Sequence, residues 1–208
     1  MVKEIRIYVE GGGKGTDRFA TIKLREGFRA FFKELDEKAK KKNIRFQPIP
    51  SGSTDETYRS FERSVRDFPQ SFSLLLVDSD KAVPNGETAR SFLQKKHKKW
   101  LVQNISDEQC HLMVQIMESW FVADVDALKN YYGQDFNESA IPKNANVEKI
   151  DKTRVGNSLK NAARHTQKGE YHKIIHGGDL LGKIDAKKVR RAAHFCEILF
   201  DVLAKKIG

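Results

Sequence analysis

The sequence predicts an α/β domain with a mostly parallel central sheet flanked by helices, followed by a C-terminal helical extension. Three observations carry that prediction. Short β-branched and aromatic runs alternate with segments whose apolar residues recur at helical spacing. One run, Phe72-Ser73-Leu74-Leu75-Leu76-Val77, is almost continuously apolar, which suits a strand buried on both faces. Three of the runs stop on an acid: Glu10, Asp78 with Asp80, and Glu118.

In order along the chain, Ile5-Arg6-Ile7-Tyr8-Val9 reads as the first strand and ends at Glu10. Gly11-Gly12-Gly13-Lys14-Gly15 then places four glycines in five positions, a loop that needs unusual dihedrals or close backbone approach. Leu24, Phe28, Phe31, Leu35 and Ala39 recur at helical spacing, and Lys38, Lys40, Lys41 and Lys42 suit that helix's carboxyl end. Ile44 to Pro48 is a second, outer strand, because Pro48 has no N–H for a ladder. Ser53-Thr54-Asp55-Glu56 resembles a capping box and opens a helix with Tyr58, Phe61, Val65 and Phe68 on one face, ending before Pro69.

After the central strand, Pro84, Asn85 and Gly86 mark a loop. A helix from Thr88 carries Ala89, Phe92 and Leu93 into the basic run Lys95-Lys96-His97-Lys98-Lys99, and Trp100-Leu101-Val102 reads as a short strand. His111 to Met117 is a further apolar run ending at Glu118. Ser119 caps a helix that places Trp120, Ala123, Ala127 and Tyr131 on one side. Gly133 to Asn146 is a polar, turn-rich loop. Asn157 to His165 is a basic helix, Gly177-Gly178 a break, and the last helix starts near Asp185 with Val189, Ala193, Cys196, Phe200 and Leu203 inward. The expected division is a core over residues 1–132 and a loop and helical extension over 133–208 packed on it as one compact domain.

With 208 residues, 32% charged and 39% hydrophobic, the chain fits a globular protein with a sizeable core. Its formal net charge of +10 favours polyanion partners, nucleic acid before anionic membrane; a solubilising surface is the competing reading. Cys110 and Cys196 fall in no CxxC or zinc spacing, which argues against a disulfide framework or structural zinc. No apolar stretch approaches the roughly 18 residues of a membrane span. Met1-Val2-Lys3-Glu4 leads directly into a strand, so no signal peptide and a cytoplasmic location without membrane partners are expected.

The acids carry the chemistry. If the strand persists to residue 80, Asp78 and Asp80 point to the same side. Carboxylates held together at a strand end require a cation or a proton. Ligands of open α/β sheets bind outside the carboxyl ends of the strands, so neighbouring parallel strands would bring Glu10, Asp78, Asp80 and Glu118 together. An oxygen-only donor set suits Mg²⁺ or Mn²⁺, which can activate water and neutralise charge on a phosphate. Helix capping or solvation is the competing reading for each acid.

The glycine loop departs from a Walker A loop, because Lys14 is followed by Gly15 rather than Ser or Thr. Gly11, Gly12 and Gly13, with Lys14, remain candidates for holding a phosphate at a helix start, against the reading of a tight turn. In Tyr171-His172-Lys173-Ile174-Ile175-His176, Lys173 and His176 are candidates to face an anionic site from the extension. The run 95–99 and the cluster Lys183, Lys187, Lys188, Arg190 and Arg191 are candidates for phosphate-backbone contact, or else solvated helix faces.

A glutamate closing the first strand before a glycine loop, with Asp-x-Asp closing a later strand, resembles the TOPRIM domain of topoisomerases, primases and old-family nucleases. Val9-Glu10-Gly11, Leu76-Val77-Asp78-Ser79-Asp80, Met117-Glu118-Ser119-Trp120 and Tyr171-His172-Lys173 resemble a family of small TOPRIM-like proteins of unknown function, often encoded beside ATPases in bacterial defence loci. The resemblance implies a Rossmann-like TOPRIM core and Mg²⁺-dependent phosphodiester chemistry. It implies Glu10 as general acid/base or metal ligand, Asp78 and Asp80 as metal ligands, and Glu118 as an extra acidic ligand. No equivalent of the topoisomerase tyrosine is found, so hydrolysis is expected rather than nicking with religation.

The expected function is therefore an Mg²⁺- or Mn²⁺-dependent nuclease or phosphodiesterase acting on DNA or RNA, in phage defence, with an ATPase as a candidate partner. The rival is a non-catalytic nucleic-acid-binding or regulatory subunit of an ATPase-containing complex. A phosphotransfer receiver also gathers acids at strand ends, but the lysine it needs at a late strand end is not found.

Overall fold

Four strands, Glu4–Val9 (β1), Arg45–Pro50 (β2), Phe72–Asp78 (β3) and Cys110–Met113 (β4), form one all-parallel sheet in the order β2-β1-β3-β4. The computed structural model describes residues 2–12, 18–100 and 105–208. Among these, the first part of the chain contributes helices Arg18–Phe31 (α1), Lys33–Lys41 (α2), Thr54–Asp67 (α3) and Ala89–Lys96 (α4). Glu118–Phe121 (α5), Val125–Tyr132 (α6), Lys152–Ala163 (α7), Lys173–Leu181 (α8), Ala186–Ala192 (α9) and His194–Ile207 (α10) follow β4.

The pleat of β3 explains the layers. Leu74 and Leu76 face a core shared with Phe28, Phe31 and Phe32, while Leu75 and Val77 face the opposite core of Tyr58, Phe61, Phe92 and Leu93. Both faces are thus sealed, as the continuous apolar run requires. The first core also takes in Leu159, Leu180, Cys196, Phe200 and Leu203, so the C-terminal helices share the sheet's own hydrophobic layer. Pro48 lies on β2 at the sheet edge. The capping box of α3 is formed: Ser53 Oγ accepts from the Glu56 N–H at 3.4 Å, and Glu56 Oε2 accepts from the Ser53 N–H at 2.8 Å.

Four local expectations differ from the structure. The helix expected through Leu24 to Ala39 is two, α1 and α2, divided at the fully buried Phe32. The last helix is also two, α9 and α10, divided at Ala193. The run from His111 is strand only to Met113, because its ladder partner β3 ends at Asp78, opposite Met113. Gly177 and Gly178 do not break the chain; they lie within α8, where a missing Cβ lets α8 settle on α1. A Cβ on Gly178 would stand 2.7 Å from the Lys23 carbonyl group, and one on Gly27 would press into the Gly178 carbonyl. The expected strand at Trp100-Leu101-Val102 falls largely outside the described residues. Among the described residues, no helix is long and apolar enough to cross a membrane.

Candidate functional site

The strand order makes β1 and β3 neighbours, with the chain moving outward to β2 from one and to β4 from the other. This is a topological switch point, the position where open α/β sheets leave a crevice at their carboxyl edge. Glu10 follows β1 and Asp78 ends β3, so the two acids stand on either side of it. Glu10 continues the ladder through its N–H to Leu76 O at 3.0 Å. Its Oε2 accepts from the Asp78 N–H at 3.0 Å, and its Oε1 accepts from Thr54 Oγ1, at the start of α3, at 2.9 Å.

Asp78 is 4% exposed, and its Oδ1 accepts from the Met117 N–H at 2.9 Å. Glu118, 3% exposed, is the first residue of α5, and its Oε1 accepts from the Tyr171 hydroxyl at 2.8 Å. Between these acids α8 inserts its first residue. Lys173 Nζ lies 3.4 Å from Asp78 Oδ2 and 3.7 Å from Glu118 Oε2. Glu118 Oε2 is buried and has no hydrogen-bond partner.

The charges act on one another. Burial pushes the Asp78 carboxyl up to about 7; Lys173 opposes the rise, and Glu10 and Glu118 add to it. Burial works against the Lys173 charge, but Asp78, Glu118 and Glu10 outweigh it and hold the ammonium above its ordinary range. Burial, then Glu118, raises the Tyr171 phenol well above its usual value, so it remains a donor. Two carboxylates, Asp78 and Glu118, thus flank one position that a lysine ammonium now fills, and the charge of Glu10 acts on it from nearby. As placed, no group of three or more His, Cys, Asp or Glu side chains among the described residues is arranged to hold a metal ion. The donor chemistry nonetheless fits a hard divalent cation: oxygen ligands only, one of them buried without a hydrogen bond.

Asp80 is not part of this group. The strand stops at Asp78, and Asp80 takes a left-handed φ of 63°, so the two aspartates do not share a strand face. Asp80 Oδ2 accepts from Lys96 Nζ at 2.7 Å and Oδ1 from Lys152 Nζ at 3.0 Å. Burial alone would raise its pKa, but these two lysines hold it below the usual carboxylate range. Glu118 reaches the sheet edge from a helix rather than a strand end, since β4 has already finished at Met113.

The phosphate-binding candidates divide. Lys173 faces an anionic site, but the anions are the protein's own carboxylates. His176 is buried, and its Nδ1 accepts from the His172 N–H at 3.0 Å, completing the start of α8 instead of facing the acids. The Gly11 N–H is donated to Gly52 O at 2.7 Å, and Gly52 returns the bond at 3.0 Å. Gly11 has φ 115° and a Cβ there would meet Leu24 at 2.8 Å, so this glycine ties two loops together. Gly12 is also left-handed, while Gly13 and Lys14 lie outside the described residues.

Sequence reasoning gave no role to Thr54, Tyr171 or Lys152, and placed Lys96 only within a basic run. Tyr171 adjoins Lys173 in the block quoted for the resemblance, a signal that was present. Lys152 is 72 residues from Asp80 and carried none.

A family model described as a domain of unknown function (DUF4276) matches residues 9–204, from the end of β1 into α10. No curated protein matches the chain, and no solved structure does.

Proposed function

We propose that this chain, which belongs to the DUF4276 family, is a TOPRIM-like, Mg²⁺- or Mn²⁺-dependent nuclease or related phosphodiesterase. The observation that carries the reading is that Asp78 and Glu118 share one ammonium at the switch point, with Glu10 hydrogen-bonded to the Asp78 backbone beside them. Asp78 and Glu118, with the free lone pairs of Glu10, would hold the metal. When bound, the metal would supply an activated water and neutralise charge on the phosphate. Thr54 and the Asp78 N–H fix Glu10, and Tyr171 fixes Glu118, which limits the reorganisation the acids need. With a metal in the position its ammonium now fills, Lys173, half exposed and protonated, would turn to a phosphate oxygen. The net charge of +10 favours a nucleic-acid substrate, DNA or RNA.

One observation favours a second reading. Lys173 already compensates two of the acids, as it would in a non-catalytic nucleic-acid-binding or regulatory subunit of an ATPase-containing complex. The test is cleavage of labelled DNA and RNA with Mg²⁺ or Mn²⁺, run beside calorimetric metal titration. Cleavage that requires the metal and vanishes in Asp78→Ala is expected. Full activity in purified Asp78→Ala protein would overturn the catalytic reading, and absence of metal uptake by the native chain would favour the subunit.

A further inference from the structure

We infer that Lys96 and Lys152 form a clasp for a phosphate of the nucleic-acid substrate, and that Asp80 is the internal anion filling it when substrate is absent. The inference rests on the nucleic-acid reading above and goes beyond it by giving the second aspartate a role other than metal binding. Each oxygen of Asp80 receives one ammonium, at 2.7 and 3.0 Å. The two non-bridging oxygens of a phosphodiester present the same paired acceptors to two cations.

The three groups come from separate parts of the chain: the loop after β3, the last turn of α4 and the first residue of α7. Lys96 is the best anchored of the three, because its Nζ also donates to Ser79 O at 3.1 Å. Lys152 and Asp80 are each held by the backbone to Gln115, the Lys152 N–H donating to Oε1 at 3.2 Å and the Asp80 N–H to the carbonyl O at 2.8 Å. Asp80 sits beyond the strand with its side chain 44% exposed, so it can turn to water. Two cations against one carboxylate leave a positive excess, and exchange for a phosphate strands no buried charge. Lys98 and Lys99, both exposed, extend the positive surface beside the clasp. One residue, Ser79, separates Asp80 from Asp78, which keeps their Cα atoms within about 7 Å of each other.

The test is anisotropy of a labelled single-stranded oligonucleotide across a salt series, with Ca²⁺ replacing Mg²⁺ so that bound substrate is not turned over. Removing both lysines of the clasp in Lys96→Gln/Lys152→Gln is expected to reduce the slope of log affinity against log salt by about 0.7, the value for one single-strand phosphate. An equal charge change on α2, Lys38→Gln/Lys41→Gln, is expected to leave the slope unchanged. Asp80→Asn is expected to bind the oligonucleotide several-fold more tightly and still take up Mn²⁺. An unchanged slope in the clasp variant, an equal loss in the α2 variant, or loss of Mn²⁺ uptake in Asp80→Asn would overturn the clasp. Absence of oligonucleotide binding by the native protein would defeat the nucleic-acid reading and the clasp together. Native binding without cleavage, with the slope change intact, would defeat only the catalytic reading.

Discussion

At pH 8, metal-free Asp78→Asn protein is expected to unfold at a higher temperature than the native protein. Asp78 is buried beside Glu10 and Glu118, and burial first, then those acids, pushes its carboxyl up to about 7 despite Lys173. In the unfolded chain the same group titrates near ~3.9. Between those values the folded state holds a proton that the unfolded state has lost, so stability falls as pH rises through the window. Below it both states are protonated and the cost is absent; above it the cost is complete. A difference of about three pKa units corresponds to about 4 kcal/mol. Asn copies the protonated acid in shape and charge but cannot accept from Lys173 as a carboxylate does, so part of that gain is lost.

Thermal melts at pH 4.5, 6 and 8 check this. The variant's advantage should be several degrees at pH 8 and should close toward pH 4.5. A variant less stable than native at pH 8, or a gap that ignores pH, would refute the electrostatic account of Asp78. Added Mn²⁺ should then raise the melting temperature of the native protein but not of the variant, since only a site that binds the ion gains by mass action. A residue that costs stability in the empty protein and returns it with metal is the signature expected of a ligand.

What was legible in the sequence was local. The unbroken apolar run of β3 announced a doubly covered strand because both faces must be apolar when both are packed. Ser53 and Glu56 announced the start of α3 because a capping box closes within four residues. Glu10 and Asp78 were legible because each sits at the end of its own strand. Asp80 was not: strand periodicity assigns it a side only while the strand continues, and β3 stops two residues earlier. Glu118 was found for a reason that did not hold, since the apolar run before it is only partly strand. The position of Lys173 and the inward turn of His176 depend on how α8 docks, which local spacing does not encode. The same docking overrides the usual reading of paired glycines as a break.

That docking can be tested directly. Gly27→Ala is expected to lower stability although alanine is the better helix former. Replacing a helical glycine by alanine gains about 1 kcal/mol of intrinsic propensity. Against this, the new Cβ presses into the Gly178 carbonyl, a backbone group that cannot swing aside. Overpacking of this kind costs roughly 1–3 kcal/mol. The net expectation is a loss of about 1 kcal/mol, a melting temperature lower by about 2–4 °C.

The reverse change, Gly178→Ala, meets the Lys23 carbonyl at 2.7 Å and should act in the same direction. Because both changes strain one contact, the double variant should lose less than the two losses added. Gly156 on α7 supplies the opposite case: a Cβ there meets nothing within 4 Å, so Gly156→Ala should stabilise. The site should register the shift as well. α8 begins at Lys173, whose contacts of 3.4 and 3.7 Å to Asp78 and Glu118 depend on how closely that helix approaches. Gly27→Ala should therefore change Mn²⁺ affinity, while Gly156→Ala leaves it alone. If Gly27→Ala melts as high as Gly156→Ala and binds Mn²⁺ as the native chain does, the close approach of α1 and α8 does not set the position of Lys173.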